Sequence, residues 1–198
     1  MSRQVSQEPR PAERRRFCRI DDDIVLRYRV IGMQETPVDI DNLDVCLPNR
    51  LTLSSTFAST TQQMQPLLAK IREQSLEVAE YLRLIDRKLD LVARAFLLQE
   101  INVQEEPICR VNLSAGGIGF YEENPLAAGA TLEMELILLP SYVGILAYGK
   151  VVHRKHEPGV VVGLPFRIGV EFCKLRERDR DLIAKHVLSR ESQARAAT

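Results

Sequence analysis

The sequence predicts an α+β fold: a small antiparallel β-barrel with a C-terminal helix and one long inserted coiled-coil helix. Three observations carry this. Strand-length runs that alternate apolar and polar residues occur near 24–30 and again between 131 and 172, separated by turn residues. The intervening segment 64–100 instead repeats its apolar residues at steps of four and three. The chain returns to helical spacing at 176–190, where Leu182, Ile183, His186 and Val187 share one stripe.

In chain order, residues 1–13 are polar, contain two prolines and lack any apolar period, which predicts a mobile arm. Leu26, Tyr28 and Val30 fall on one face of the first strand. Residues 34–48 carry Glu35, Asp39, Asp41 and Asp44 without a basic partner and read as a linker. After Ser114 the strand signals resume: Leu132, Met134, Leu136 and Leu138 alternate with Glu133 and Glu135, then come 145–152 and 167–172, the last burying Ile168, Val170 and Phe172. Gly-Gly, Asn-Pro, Leu-Pro-Ser and Glu-Pro-Gly mark the turns. The expected organisation is an arm at 1–13, a split barrel at 14–33 and 104–190, a helical insertion at 34–103 and a disordered tail at 191–198.

Within the insertion, Leu68, Ser75, Leu82, Leu89 and Phe96 occupy a positions, and Met64, Ile71, Val78, Ile85 and Val92 occupy d. A helix over 64–100 would be about 55 Å long, too long for a domain of this size to cover. It must project or pack against copies of itself. Leucine at a with β-branched d residues disfavours a two-stranded coil, and apolar flanks such as Leu67, Tyr81 and Ala93 widen the stripe. The expected seam is Leu68, Ile71, Val78, Leu82, Ile85, Leu89, Val92 and Phe96, and the expected assembly is a parallel tetramer ahead of a trimer. Ser75 either fixes register or is merely tolerated. Pro66 is expected near the helix start, where its missing N–H is harmless.

Charge and cysteine narrow the function classes. The chain has 27 basic and 27 acidic residues, so its overall balance does not point to a polyanion. Six of the arginines nevertheless lie in residues 1–20, against Glu8 and Glu13 alone. Cys18, Cys46, Cys109 and Cys173 form no C-x-x-C pair, which suggests reduced thiols in a cytoplasm. No apolar run is long enough for a membrane span, and no signal-peptide pattern opens the chain. His153, His156 and Glu157 lack a third ligand at metal-like spacing, and no P-loop, G-x-S-x-G or carboxylate pair stands out, so neither metal nor catalysis is expected. An RNA-binding strand face rich in aromatics is also missing.

Two motifs remain. Arg15-Arg16-Phe17-Cys18-Arg19 places two arginines around three residues just before the first strand. Asn112-Leu113-Ser114-Ala115-Gly116-Gly117 is an N-x-S-x-x-G pattern that runs into Ile118 and Gly119. Taken alone, the second is equally read as a serine turn between strands. Together, in this order, they resemble the signature of the PilZ domain family, the bacterial receptors for cyclic di-GMP. Glu13 to Val30, Asn112 to Gly119, Gly149-Lys-Val-Val and Gly169-Val-Glu-Phe are similar to successive parts of that family's pattern. The likeness covers about 13–33 and 107–190, interrupted by some seventy residues, as in the helix-interrupted branch of xanthomonads.

The resemblance implies a non-enzymatic cyclic di-GMP effector without cofactors, with Arg15, Arg19, Asn112, Ser114 and Gly117 as ligand-binding residues. The chemistry is consistent with it. A cyclic dinucleotide offers two phosphodiesters and two guanines, and a guanidinium can grip either or stack on a purine. Asn112 and Ser114, at alternate positions, put donors and acceptors on one strand face, and Gly117 permits close backbone approach. Expected partners are cyclic di-GMP, further copies of the chain and an unknown downstream protein, with no nucleic acid and no membrane. The competing reading is an oligomeric adaptor of the same fold that binds no nucleotide and acts through protein partners.

Overall fold

The computed structural model describes residues 17–32, 50–100 and 108–196. The expected arm at 1–13, the acidic linker and Arg15 lie outside them. Six antiparallel strands close a barrel in the order β1-β2-β3-β6-β5-β4. They are β1 Ile20–Val30, β2 Ile108–Ser114, β3 Gly117–Glu122, β4 Thr131–Leu138, β5 Val143–His156 and β6 Phe166–Lys174. Closure comes from β1, which pairs with β2 through its first half and with β4 through its second. Alternation places Ile24, Leu113, Ile118, Phe120, Met134, Leu136, Ile168 and Val170 inside, where they form one core. Helix α3, Glu177–Ala196, closes the barrel with Leu182, Ile183 and Val187.

The expected strands all form, and β1 and β5 are longer than their apolar alternation implied. In β1 the run begins with Asp21, Asp22 and Asp23, charges that hid its start. Leu26 and Tyr28 face the core as expected, while Val30, the last residue of β1 and paired with Leu132, is exposed. The expected disordered tail is corrected: α3 continues to Ala196, held in its last turns by Arg190 on Asp22 and by the Arg195–Glu191 pair.

The insertion departs most from expectation. It holds two helices, α1 Arg50–Gln74 and α2 Leu76–Glu100, that meet at Ser75. Ser75 ends the first, its N–H donating to the Ile71 carbonyl at 2.8 Å, and caps the second, its hydroxyl accepting from the Val78 N–H at 3.3 Å. A straight helix over the same residues would reach about 75 Å from the barrel, whereas residues 101–107 can span no more than about 25 Å back to β2. The chain therefore folds into a hairpin, with α2 packed along α1. Ala79 and Ala93 are buried and Leu82 is half-buried on the α1-facing side of α2.

One unbroken seam is thus corrected to a divided one. Leu68, Ile71 and Leu82 are half-buried, while Val78, Ile85, Leu89 and Val92 stay exposed in the single chain. The Phe96 side chain lies outside the described residues. Pro66 is also moved: it sits in the interior of α1, because that helix begins at Arg50. The serine- and threonine-rich residues ahead of it, which carry little apolar signal, are what dock α1. Ser54 accepts from the Gly144 N–H at 2.7 Å, and Ser55 accepts from Arg176 at 2.8 Å. Arg176 and Asp179 form a buried pair at 2.7 Å, so the hairpin's root is tied to the first turn of α3. Burial holds the Asp179 carboxyl above its ordinary range, outweighing the guanidinium of Arg176.

Candidate functional site

The site lies on the outer face of β2, β3 and β6, under the start of α3. Strand pairing assembles it. β2 and β3 form a hairpin in which Ser114 opposes Gly117, leaving Ala115 and Gly116 as a two-residue turn. The Ser114 side chain is buried; its hydroxyl donates to the Gly117 carbonyl at 3.1 Å and accepts from the Gly116 N–H at 3.4 Å. Two outside groups clamp the turn. Arg180 donates to the Ala115 carbonyl at 2.6 Å, and the Phe172 N–H donates to the Gly116 carbonyl at 3.0 Å.

Gly117 is dictated by packing. A Cβ there would stand 2.3 Å from the Val170 carbonyl oxygen, so only glycine lets β3 lie this close to β6. Phe17 rests its ring on Gly116, where a Cβ would come within 2.8 Å of it. The chain immediately before β1 is thereby brought over the turn, and Arg19 comes with it. Arg19 donates to Asn112 Oδ1 at 3.4 Å. Asn112 opposes Asp21 across the β1–β2 ladder and donates to its carboxylate at 2.8 Å. That second bond orients the amide so that its oxygen faces Arg19.

These groups border a cleft of about 1090 Å³ that continues past Gly119 and Gly169 to His153, with Arg180 and Asp181 of α3 along one side. Four of the five sequence-predicted residues are therefore brought together: Arg19, Asn112, Ser114 and Gly117. Arg15 lies outside the described residues. Their parts differ, since Arg19 and Asn112 present polar groups to the cleft while Ser114 and Gly117 shape the turn.

Below the cleft, Asp22 accepts from Arg190 at 2.9 and 2.5 Å and pairs with His186 Nε2 at 2.6 Å. Burial would raise the Asp22 carboxyl, but the bonds from Arg190 and His186 prevail and hold it below its ordinary range. The three aspartates at the head of β1 thus have separate duties: Asp21 holds Asn112, Asp22 holds α3, and Asp23 faces Arg110 at 3.8 Å. Sequence reasoning missed Phe17, His153 and Arg180. Phe17 was visible inside the first motif. Arg180 and His153 sit in other elements and carry no pattern linking them to either motif. Among the described residues no cluster of three or more His, Cys, Asp or Glu side chains is placed to hold a metal ion.

Comparison with known proteins bears on the family and the fold. The family model described as PilZ domain matches residues 82–189. No curated protein sequence matches the chain. Among solved structures, a Xanthomonas campestris protein superposes with a TM-score of 0.53 at 14% identity, covering 90% of each chain. It is described as a pathogenic protein with a new tetrameric PilZ domain self-assembled via an unusual helical bundle. The Bacillus subtilis inhibitor of motility, MotI/DgrA, gives a TM-score of 0.46 at 12% identity; the match covers 91% of this chain but 52% of that one. The superposition on the Xanthomonas protein supports the fold. With the family model spanning more than half of its residues, this chain belongs to the PilZ domain family.

Proposed function

We propose that this protein is a cyclic di-GMP receptor, a non-catalytic cytoplasmic signalling effector that assembles through its helical hairpin. The observation that carries the ligand reading is the convergence of Arg19, Asn112 and the Ser114–Gly117 turn on one cleft of about 1090 Å³. The Arg19 guanidinium can bind a phosphodiester or the acceptor edge of guanine with paired hydrogen bonds, and can stack on a purine face. Asn112 adds a fixed amide, and Arg15 supplies the second guanidinium of the arm. The free thiols of Cys18, Cys109 and Cys173 suit a reducing compartment. Among the described residues no helix is long and apolar enough to cross a membrane.

Assembly is supported by the exposed face of α2. Val78, Ile85, Leu89 and Val92 form a continuous apolar stripe, the kind of surface that a soluble chain covers with a partner. The similar Xanthomonas protein is described as a tetramer built on a helical bundle. A tetramer is the expected state here, ahead of a trimer, with the α2 stripes at its centre. Isothermal titration of the full chain with cyclic di-GMP tests the ligand reading, and saturable heat is expected. Absence of heat at high ligand concentration would leave the non-binding adaptor in its place. Sedimentation equilibrium tests the assembly, which a monomer at micromolar concentration would contradict.

A further inference from the structure

The registers of the barrel line up one row of residues across four strands on its outer face. Asn112 of β2 opposes Gly119 of β3, Gly119 opposes Gly169 of β6, and Gly169 opposes His153 of β5. Ile118 and Phe120 flank Gly119, Ile168 and Val170 flank Gly169, and Val111 and Leu113 flank Asn112; all six point into the core, so the two glycines and Asn112 face outward. His153, just past a register shift in β5, is exposed, and all four line the cleft. The middle of the row is bare backbone. With strands about 4.8 Å apart, Asn112 and His153 stand about 14 Å from each other across it.

The fold does not demand glycine at both places. A Cβ on Gly119 would meet the Ile168 carbonyl oxygen at 3.6 Å, Asn112 Cβ at 3.7 Å and the Asn112 carbonyl oxygen at 3.9 Å, all ordinary contacts. Its φ is not among the positive values, which among the described glycines belong to Gly129, Gly159 and Gly163. Gly117 and Gly149 differ, since a Cβ at either would come within 2.3 Å of Val170. Gly169 is intermediate, with 3.1 Å to His153 Cβ. A glycine weakens a strand interior, and one that packing does not require marks a place where something approaches the backbone closely.

We infer that Gly119 and Gly169 form a flat bed for one planar base of the ligand, closed at one edge by Asn112 and at the other by His153. The inference rests on the nucleotide reading above and adds to it the residues that receive the base. Two adjacent bare positions are wide enough for the face of a purine, which can lie against the peptide planes without a side chain lifting it. Asn112 Oδ1, fixed by Asp21, then meets the N–H donors on the base edge. His153 supplies a flat wall and ring nitrogens at the far side.

The test is calorimetric titration of full-length Gly119→Ala, Gly119→Val, His153→Ala and His153→Phe with cyclic di-GMP, together with the thermal midpoint of each. Gly119→Ala should bind about tenfold and Gly119→Val about a hundredfold more weakly, as overpacking of a close contact requires. Their midpoints should equal or exceed that of the wild type. His153→Ala should lose several-fold in affinity, and His153→Phe should recover it. Wild-type affinity in Gly119→Val overturns the bed, as does a loss matched by a fallen midpoint in both glycine variants. Should the valine variant fail to fold, the alanine variant decides. A wild type that does not bind overturns the nucleotide reading, and the bed with it.

Discussion

Replacing Asp22 with alanine removes the ion that fastens the far half of α3 to the head of β1. Its side chain is 1% exposed and receives two bonds from Arg190, at 2.9 and 2.5 Å, and one from His186 at 2.6 Å. Hydrogen bonds to a charged group each contribute about 1.5–3 kcal/mol, and breaking a buried pair costs about 3–5 kcal/mol. Arg190 is 35% exposed, so water takes over part of its solvation after the change, and the lower end applies. The expected loss is about 3 kcal/mol, or about 6–12 °C in thermal midpoint for a chain of this size.

The acid dependence follows from the depressed carboxyl. A carboxylate whose folded pKa lies below its unfolded value of about 4 contributes stability above that value and loses it as pH falls through the folded one. The gap between wild type and Asp22→Ala should be full at neutral pH and should close below about pH 4. Calorimetric unfolding at fixed protein concentration, from pH 7 down to about pH 2, measures both. Adding Arg190→Ala completes a double-mutant cycle, which should return a coupling above about 1 kcal/mol. A neutral-pH loss under about 1 kcal/mol, or a gap that persists in acid, would show that Asp22 does not fasten α3 to the barrel.

The other predictions concern the arm, the turn and the hairpin. Arg15→Ala and Arg19→Ala should each weaken cyclic di-GMP binding by about 1.5–3 kcal/mol, read by titration, with the thermal midpoint of the free protein unchanged. Gly117→Ala must part β3 from β6 at the Val170 carbonyl and should lower stability by about 1–3 kcal/mol, read by chemical unfolding. Ser75→Ala removes the cap of α2 and should lower stability by about 1 kcal/mol in the same assay. Combined replacement of Val78, Ile85 and Val92 by serine should reduce the sedimenting mass to a single chain while the circular dichroism of the barrel persists.

The barrel was legible because its strands alternate cleanly: Leu132, Met134, Leu136 and Leu138 were read as one buried face and are all inside. The pairing of Arg19 with the Asn112 hairpin was legible from two motifs, although nothing local says that residues 93 positions apart meet. The hairpin was not legible. Helical apolar spacing continues through Ser75 with the same period whether the chain runs straight or turns back, and only the covalent reach to β2 decides. The docking end of α1 was missed for a related reason. It is held by the hydroxyls of Ser54 and Ser55, and hydroxyl-rich sequence reads as loop when no apolar period accompanies it. The row from Asn112 to His153 is a product of strand register, which no single segment encodes.

Hydrogen exchange of the full chain with and without cyclic di-GMP reads where the nucleotide acts on the barrel. Added protection is expected at residues 10–20, at 112–119 and along 167–172, with the backbone of α2 unchanged. Protection confined to other surfaces, or none at saturating nucleotide, would contradict the assignment of this cleft as the receptor site.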